Sequence, residues 1–405
     1  MSVRTYMVGG AVRDMLMGIE PKDIDYVVVG ATPDYMENVL GMKRVGQDFP
    51  VFLDENGDEY ALARRERSTG EGYVDFQFEV DGVSLAEDLL RRDLTINAIA
   101  KNKDIGNIFD PYGGRADIED KIFRPVSDAF MEDPVRVLRV ARLRARYGAD
   151  WTLSDELRIM VKKMVKKGVL SNLQPDRVWK EMSRALMEPN PRLFFDTLYE
   201  LDALHVVFPE IYKMLTSLEP IFYHPEKNTY EHTMLVLTQA ANFGYDIETR
   251  FSCLMHDIGK TLTTFDKFPA HYGHDIKGVE LVEQFGHKYK IPSKMIKIAK
   301  FATRYHMYGH KLGEMNPKTI VKMFDEINLS SQKIDFVVNL KNVFECDERG
   351  RLGYEHVIVD DKSIIIDWAN SYIGVKFDDV FPNGETNVNK IKDGMFRKRC
   401  AAIKK

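Results

Sequence analysis

Residues 1 to about 125 alternate short apolar, β-rich runs with Gly and Asp turns and short helical patches; the runs are Tyr6-Met7-Val8, Tyr26-Val27-Val28-Val29, Val51-Phe52-Leu53 and Tyr60-Ala61-Leu62-Ala63. This is the pattern of an α+β region. From Pro134 apolar residues recur at helical spacing, with interruptions at Pro175, Pro189, Pro209, Pro220 and Pro225. The second two-thirds of the chain is therefore predicted to be mostly helical. At 405 residues the chain is too long for one ordinary core. The expected division is an α+β head with a small β-sheet over 1–125, an all-α neck and body over 126–222, a second all-α domain over 223–350 and a helical tail over 351–405.

Composition narrows the class. With 44% hydrophobic and 29% charged residues and no low-complexity tract, the chain reads as a soluble globular protein. Met1 to Val8 lacks a basic, then apolar, leader pattern, and no apolar run reaches membrane-spanning length. Cys253, Cys346 and Cys400 are far apart and without metal-ligand spacing, which fits a reducing compartment. A cytoplasmic protein with no membrane partner, monomeric or homodimeric, is expected. A formal charge of −5 argues against indiscriminate coating of nucleic acid, yet allows a local basic surface for one shaped RNA.

Candidate chemistry begins where a short strand ends. Gly9-Gly10 precedes the helical stretch Ala11 to Met17, so backbone N–H groups can approach a phosphate with Arg13 one turn in. Alone, a Gly-Gly pair is more often just a turn. Asp23 and Asp25 then open an apolar strand, Ile24 to Val29, whose period of two turns both carboxylates to one side. Such a pair can hold divalent cations for phosphoryl transfer, or can be solvated turn aspartates. Order and spacing with the neighbouring motifs favour the former.

The strings Val8-Gly9-Gly10-Ala11-Val12-Arg13-Asp14, Lys22-Asp23-Ile24-Asp25, Arg91-Arg92-Asp93-Leu94-Thr95-Ile96-Asn97-Ala98 and Glu132-Asp133-Pro134-Val135-Arg136 resemble, in that order, the class II CCA-adding enzymes, the tRNA nucleotidyltransferases. Gly46-Gln47-Asp48-Phe49-Pro50-Val51-Phe52 and Ala61-Leu62-Ala63-Arg64 resemble the multifunctional form of many gammaproteobacteria, in which an HD phosphohydrolase domain follows. The resemblance covers nearly the whole chain and weakens after about residue 355. It implies a polymerase β-like nucleotidyltransferase head that joins CTP and ATP to a tRNA 3′ end with Mg²⁺. It further implies that Gly10 and Arg13 hold the triphosphate, Asp23 and Asp25 bind Mg²⁺, Arg92 contacts the incoming nucleotide, and Asp93 and Asn97 orient its ribose. Glu59 is a candidate third carboxylate.

Asp133 and Arg136 are three apart, the spacing of one helix face. A carboxylate accepts and a guanidinium donates, which matches an amino group beside an unprotonated ring nitrogen, as in cytosine and adenine. Asp133 before Pro134 is also a good helix cap. Arg139 and Arg142 continue the spacing and resemble further nucleotide contacts of the family.

Eight of the ten histidines lie between His224 and His310. His256-Asp257, preceded by His232 and followed by His271, His274, His306 and Asp347, has the residue order of an HD phosphohydrolase. His256 and Asp257 are expected on one helix. His232, His256, Asp257, His274, His306 and Asp347 form a mixed imidazole and carboxylate set suited to one or two divalent ions. In the resembled relatives this domain carries 2′,3′-cyclic phosphodiesterase, 2′-nucleotidase and Ni²⁺-stimulated phosphatase activities.

Five arginines between Arg136 and Arg146, followed by Lys162-Lys163 and Lys166-Lys167, can contact tRNA phosphates or be a solvated helix face. The basic stretch Lys390 to Lys405 allows the same two readings. Two other readings compete: a bacterial poly(A) polymerase, which shares the amino-terminal motifs, and a non-catalytic tRNA-binding protein. The His-Asp constellation counts against the first, and intact Asp23, Asp25, Arg92, Asp133 and Arg136 count against the second.

Overall fold

The computed structural model describes residues 2–21, 23–45, 51–68, 76–219, 226–263, 271–357 and 361–403. Lys22, Gly46 to Pro50, Pro220, His224 and Pro225, all used above, lie outside them. The chain forms two compact units, Met1–Leu173 with Glu200–Ala203 and Gln174–Tyr199 with Leu204–Lys405.

The first unit holds the sheet. Its strands are β1 (Arg4–Val8), β2 (Asp25–Val29), β3 (Lys43–Val45), β4 (Val51–Leu53), β5 (Glu59–Leu62), β8 (Ala100–Asn102) and β9 (Ile108–Phe109), while β6 (Arg65–Ser68) and β7 (Phe76–Glu79) pair separately. Among the described residues the main sheet has seven strands in the order β3-β4-β5-β2-β1-β8-β9. The β2–β5 pair is parallel and the other pairs are antiparallel. Side chains alternate as the strand period requires: Val8, Val27 and Ala100 join a core with Leu85 and Leu89, while Tyr26 and Val28 face the other way, against Met36, Phe52 and Tyr60. Helix α1 (Gly10–Leu16) follows β1 directly, and α2 (Leu85–Leu90) opens with a capping box between Ser84 and Glu87. The expected α+β head with a sheet is what forms.

Helices α3 (Val135–Tyr147) and α4 (Asp155–Lys166) complete this unit. Between them the helical reading fails at Thr152–Leu153, which pair in parallel with Ile122–Phe123. The physical reason is local: Trp151 stacks on Phe123 with centroids 4.8 Å apart, so packing against the head outweighs helical periodicity.

In the second unit the helices that matter here are α5 (Thr229–Asn242), α6 (Ile247–Met255), α7 (His274–Lys288), α8 (Ser293–Tyr305), α9 (Ile334–Arg349) and α10 (Val388–Ala402). A core including Val236, Cys253, Ile298, Phe301, Leu340 and Phe344 joins α5, α6, α8 and α9. No helix among the described residues is long and apolar enough to cross a membrane.

Candidate functional sites

Asp25 begins β2, and its register partner on parallel β5 is Glu59. Aligned residues of a parallel pair share a sheet face, and Asp23 lies two positions earlier. Asp23, Asp25 and Glu59 are all exposed, so three carboxylates gather at one end of the sheet. The donor set suits a hard divalent cation. Crowding by the surrounding protein raises the Asp25 carboxyl pKa; Arg92 opposes that shift, Asp23 adds to it and Arg139 opposes it.

Arg92 reaches this cleft because of two neighbours. Gly9 takes φ 70°, and a Cβ there would lie 2.8 Å from Arg92 Nη1, so only glycine fits. Asp88, fully buried, accepts from the Arg64 N–H at 3.2 Å and from Arg91 Nε at 3.2 Å, and lies 3.5 Å from Arg92 Nη2. Arg92 Nε is buried with no hydrogen-bond partner among the described residues. Burial lowers the Arg92 pKa, with Asp88 acting against it. A half-buried guanidinium at the cleft suits an anionic ligand.

Arg13 is tied into a network of side chains. It is 5% exposed, and three of its five N–H donors are engaged: Nε and Nη2 with Asp14 Oδ1 at 2.9 and 2.7 Å, and Nη1 with Asn97 Oδ1. Asp14 also accepts from Arg146 at 2.9 Å and from the Tyr147 hydroxyl at 2.8 Å. Asn97 Nδ2 donates to Asp93 Oδ1 at 2.9 Å, and Arg139 Nε donates to Asp93 Oδ2 at 2.8 Å. Arg13, Asn97, Asp93 and Arg139 thus form one chain of hydrogen bonds tying α1 to α3. Desolvation would raise the Asp93 pKa, but Arg139 and the Asn97 hydrogen bond hold it well below the usual carboxylate range. Gly10 sits beside this network, with the position of a Cβ 3.3 Å from Arg13 Nη2.

Asp133 and Arg136 do not share a helix face. Asp133 is extended (φ −121°, ψ 100°) just before α3, and its Oδ1 accepts from the Val135 N–H at 3.2 Å, which is capping work. Arg136 donates to the Ala129 and Arg91 carbonyls, both at 2.8 Å. Pro134 explains the difference, because a proline disfavours helical geometry in the residue before it. Arg139 and Arg142 lie further along α3, both half-buried.

In the second unit, all six ligand-type residues converge. His232 comes from α5, His274 opens α7, and Asp347 lies near the end of α9. His256 and His306 directly follow α6 and α8. His256 and Asp257 are therefore not on one helix: the chain breaks between α6 and a short 3-10 turn, Ile258–Leu262. The break lets consecutive side chains meet in one cavity, where a continuous helix would splay them about 100° apart.

Two groups form, His232 with His256 and Asp347, and Asp257 with His274 and His306, all buried. Asp257 joins them: Oδ2 is 3.2 Å from His256 Nε2, and Oδ1 is 3.4 Å from His274 Nε2 and 3.3 Å from His306 Nε2. Nδ1 of His256, His274 and His306 lies 2.7, 2.7 and 2.8 Å from the carbonyl three residues back. A donating Nδ1–H fixes the tautomer with the Nε2 lone pair facing the cluster. Nε2 atoms then face each other at 3.3 Å (His232 and His256) and 3.2 Å (His274 and His306), and Asp257 Oδ1 has no hydrogen-bond partner among the described residues. Acceptors crowded in this way need a cation between them. A proton can serve: against desolvation, Asp347 and Glu226 push the His232 pKa up to about 10. The imidazole and carboxylate set fits a transition-metal ion in the same place.

His271 does not join the cluster; its Nδ1 meets the Thr263 hydroxyl and its Nε2 the Leu218 carbonyl at 2.9 Å. Sequence reading missed Lys260, Glu226 and His310. Lys260 Nζ lies 2.8 Å from both Asp257 Oδ2 and Glu219 Oε1. His232 Nδ1 lies 3.1 Å from Glu226 Oε1, and His310 Nε2 3.3 Å from Asp347 Oδ2. The available signals were Lys260 three positions after Asp257 and His310 four after His306; nothing local marks Glu226.

A carboxylate-ended nucleotidyltransferase head joined to a histidine-rich helical domain defines the class. Residues 5–124 match the Poly A polymerase head domain, 151–215 the probable RNA- and SrmB-binding site of polymerase A, and 229–328 the HD domain. Multifunctional CCA proteins of Mannheimia succiniciproducens and Pasteurella multocida are 40% and 42% identical to this chain, each over 99% of it and 97% of the relative. That of Thioalkalivibrio sulfidiphilus is 45% identical over 87% of this chain and 86% of its own. The chain belongs to the multifunctional CCA protein family. Its fold is that of a solved CCA-adding enzyme in apo form II, at 21% identity and TM-score 0.64 over 98% of this chain and 88% of the other. The Thermotoga maritima CCA-adding enzyme complexed with tRNA is also similar, at 20% identity and TM-score 0.57, over 99% of this chain and 87% of the other.

Proposed function

We propose that this chain is a tRNA nucleotidyltransferase that adds or repairs the 3′-terminal CCA from CTP and ATP without a nucleic-acid template. The observation carrying the proposal is the convergence of Asp23, Asp25 and Glu59 on one end of the sheet, electrostatically coupled to Arg92, in a chain of this family. The head is assigned to 1–125, nucleotide selection and tRNA binding to 126–222, the HD domain to 223–350 and the tail to 351–405. Asp23 and Asp25 would hold Mg²⁺, with Glu59 the added carboxylate, and bound ions would supply a lower pKa for the attacking 3′-hydroxyl and charge stabilisation for the leaving pyrophosphate. Arg92 pairs with the triphosphate, and Gly9 and Gly10 leave the backbone open to it. Asp93 and Asn97 stiffen the floor of the cleft through Arg13 and Arg139. Selection of C and A by Asp133 and Arg136 requires Arg136 to exchange its two carbonyl partners for the edge of a base.

The HD domain is proposed to hydrolyse phosphate esters at RNA ends, as a 2′,3′-cyclic phosphodiesterase, 2′-nucleotidase and phosphatase, with Ni²⁺ as a candidate ion. A bound ion would lower the pKa of a water and polarise the ester. His232, His256, Asp257, His274, His306 and Asp347 hold it, and Lys260 fixes the Asp257 carboxylate.

Labelled CTP offered with a tRNA transcript lacking its terminal nucleotides tests the first proposal. Asp23→Ala and Asp25→Ala should each abolish incorporation while leaving the melting temperature near that of the parent. Undiminished incorporation in both would refute metal catalysis at this site.

A further inference from the structure

The histidines of the HD cluster are not supported equally. His256, His274 and His306 present Nδ1 to a backbone carbonyl. His232 Nδ1 lies 3.1 Å from the Gly350 carbonyl and also 3.1 Å from Glu226 Oε1, a carboxylate whose side chain is 2% exposed. A carboxylate behind an imidazole makes its far nitrogen a stronger donor to a metal, and the effect grows in a dry site.

The two acidic ligands differ as well. Asp347 turns Oδ1 inward, 3.1 Å from His232 Nε2, while Oδ2 is 3.3 Å from His310 Nε2. His310 thereby fixes which oxygen faces the cluster. Its own position is built. A Cβ on Gly309 would lie 2.6 Å from Phe344 Cδ1, so the turn presses against α9, the helix that carries Asp347. The Gly309 carbonyl accepts from the buried Lys362 Nζ at 3.1 Å, and that ammonium pairs with Glu348 on α9 at 2.7 Å. Asp257, by contrast, has its charge partly balanced by the Lys260 ammonium.

We propose that Glu226 and His310 are positioning residues that make the ion position formed by His232, His256 and Asp347 fill before the one formed by Asp257, His274 and His306. The proposal rests on the reading that this cluster binds divalent ions. Neither residue needs to touch substrate; each acts through a ligand.

Calorimetric titration of the full-length chain with Ni²⁺, with the double variant His256→Ala/His306→Ala, which removes a ligand from each position, as the control for binding elsewhere, tests it. The parent should show a tighter and a weaker step that the control lacks. Glu226→Gln and His310→Ala should each weaken the tighter step by roughly tenfold to a hundredfold and leave the weaker one in place. His310→Gln, which keeps an N–H for Oδ2, should recover most of the loss. His274→Ala should remove the weaker step alone. An unchanged tighter step in both Glu226→Gln and His310→Ala, or its loss in His274→Ala, would overturn the proposal. A parent titration identical to that of the control would instead overturn ion binding at the cluster itself.

Discussion

Asp25 and Asp93 lie in the same unit and are shifted in opposite directions. Crowding raises Asp25. Before Mg²⁺ binds it therefore takes up a proton sooner than an ordinary aspartate, so protons and Mg²⁺ should compete there and more Mg²⁺ should move the acid limb of nucleotide addition to lower pH. Profiles of CTP incorporation at two Mg²⁺ concentrations check this, and an acid limb that does not move would count against Asp25 as the controlling group. Asp93 is held low by Arg139 and Asn97. A depressed carboxyl gives stability that is present above its unfolded value, near 3.9, and lost as pH falls through its folded value. Asp93→Asn should cost about 1–2 kcal/mol at pH 7, discounted because Arg139 is 41% exposed, and should flatten the acid dependence of the melting temperature. Placement of Asp23 and Asp25 at a strand start was legible, since a period of two within a motif is a local property. Engagement of Arg13 with Asn97, 84 positions away, was not, because a hydrogen bond across folded segments leaves no spacing in the sequence.

At the scale of elements, two glycines hold the sites together. Gly9→Ala puts a side chain where φ is 70° and Arg92 Nη1 lies 2.8 Å away. It should cost about 1–3 kcal/mol and lower nucleotide addition more than it lowers stability, because Arg92 must move. Melting curves beside initial rates separate the two effects. Gly259 carries the turn after Asp257, and a Cβ there would meet the His274 carbonyl oxygen at 1.9 Å. Gly259→Ala should push the Asp257 turn away from α7 and weaken Ni²⁺ binding at the position formed by Asp257, His274 and His306, as calorimetry would record. Strands β1, β2, β4 and β5 were legible as short apolar runs, although β5 ends one residue before Ala63, the last of its run. The capping position of Asp133 was also legible, since Asp before Pro is a local signal; the break at His256-Asp257 was not, because helical periodicity continues across it and only packing ends the helix.

At the scale of the whole molecule, Asp23, Asp25 and Glu59 belong to the first unit and the six clustered histidine and aspartate residues of the HD domain to the second. Asp25→Ala should therefore eliminate CTP incorporation and spare 2′,3′-cyclic phosphate hydrolysis, whereas His256→Ala should do the reverse. Loss of both activities in either variant would contradict separate centres. The order of chemistry along the chain was legible because each motif is local; the joining of His232, Asp257 and Asp347 across more than a hundred positions needed the fold. The central claim, CCA addition, is tested most directly with tRNA transcripts lacking three, two or one of the terminal nucleotides, each offered CTP, ATP or both. C should be added only where C is due and A only after both C residues, and the two nucleotides together should restore every transcript to full length. Addition of A alone, whatever the end of the transcript, would contradict that claim.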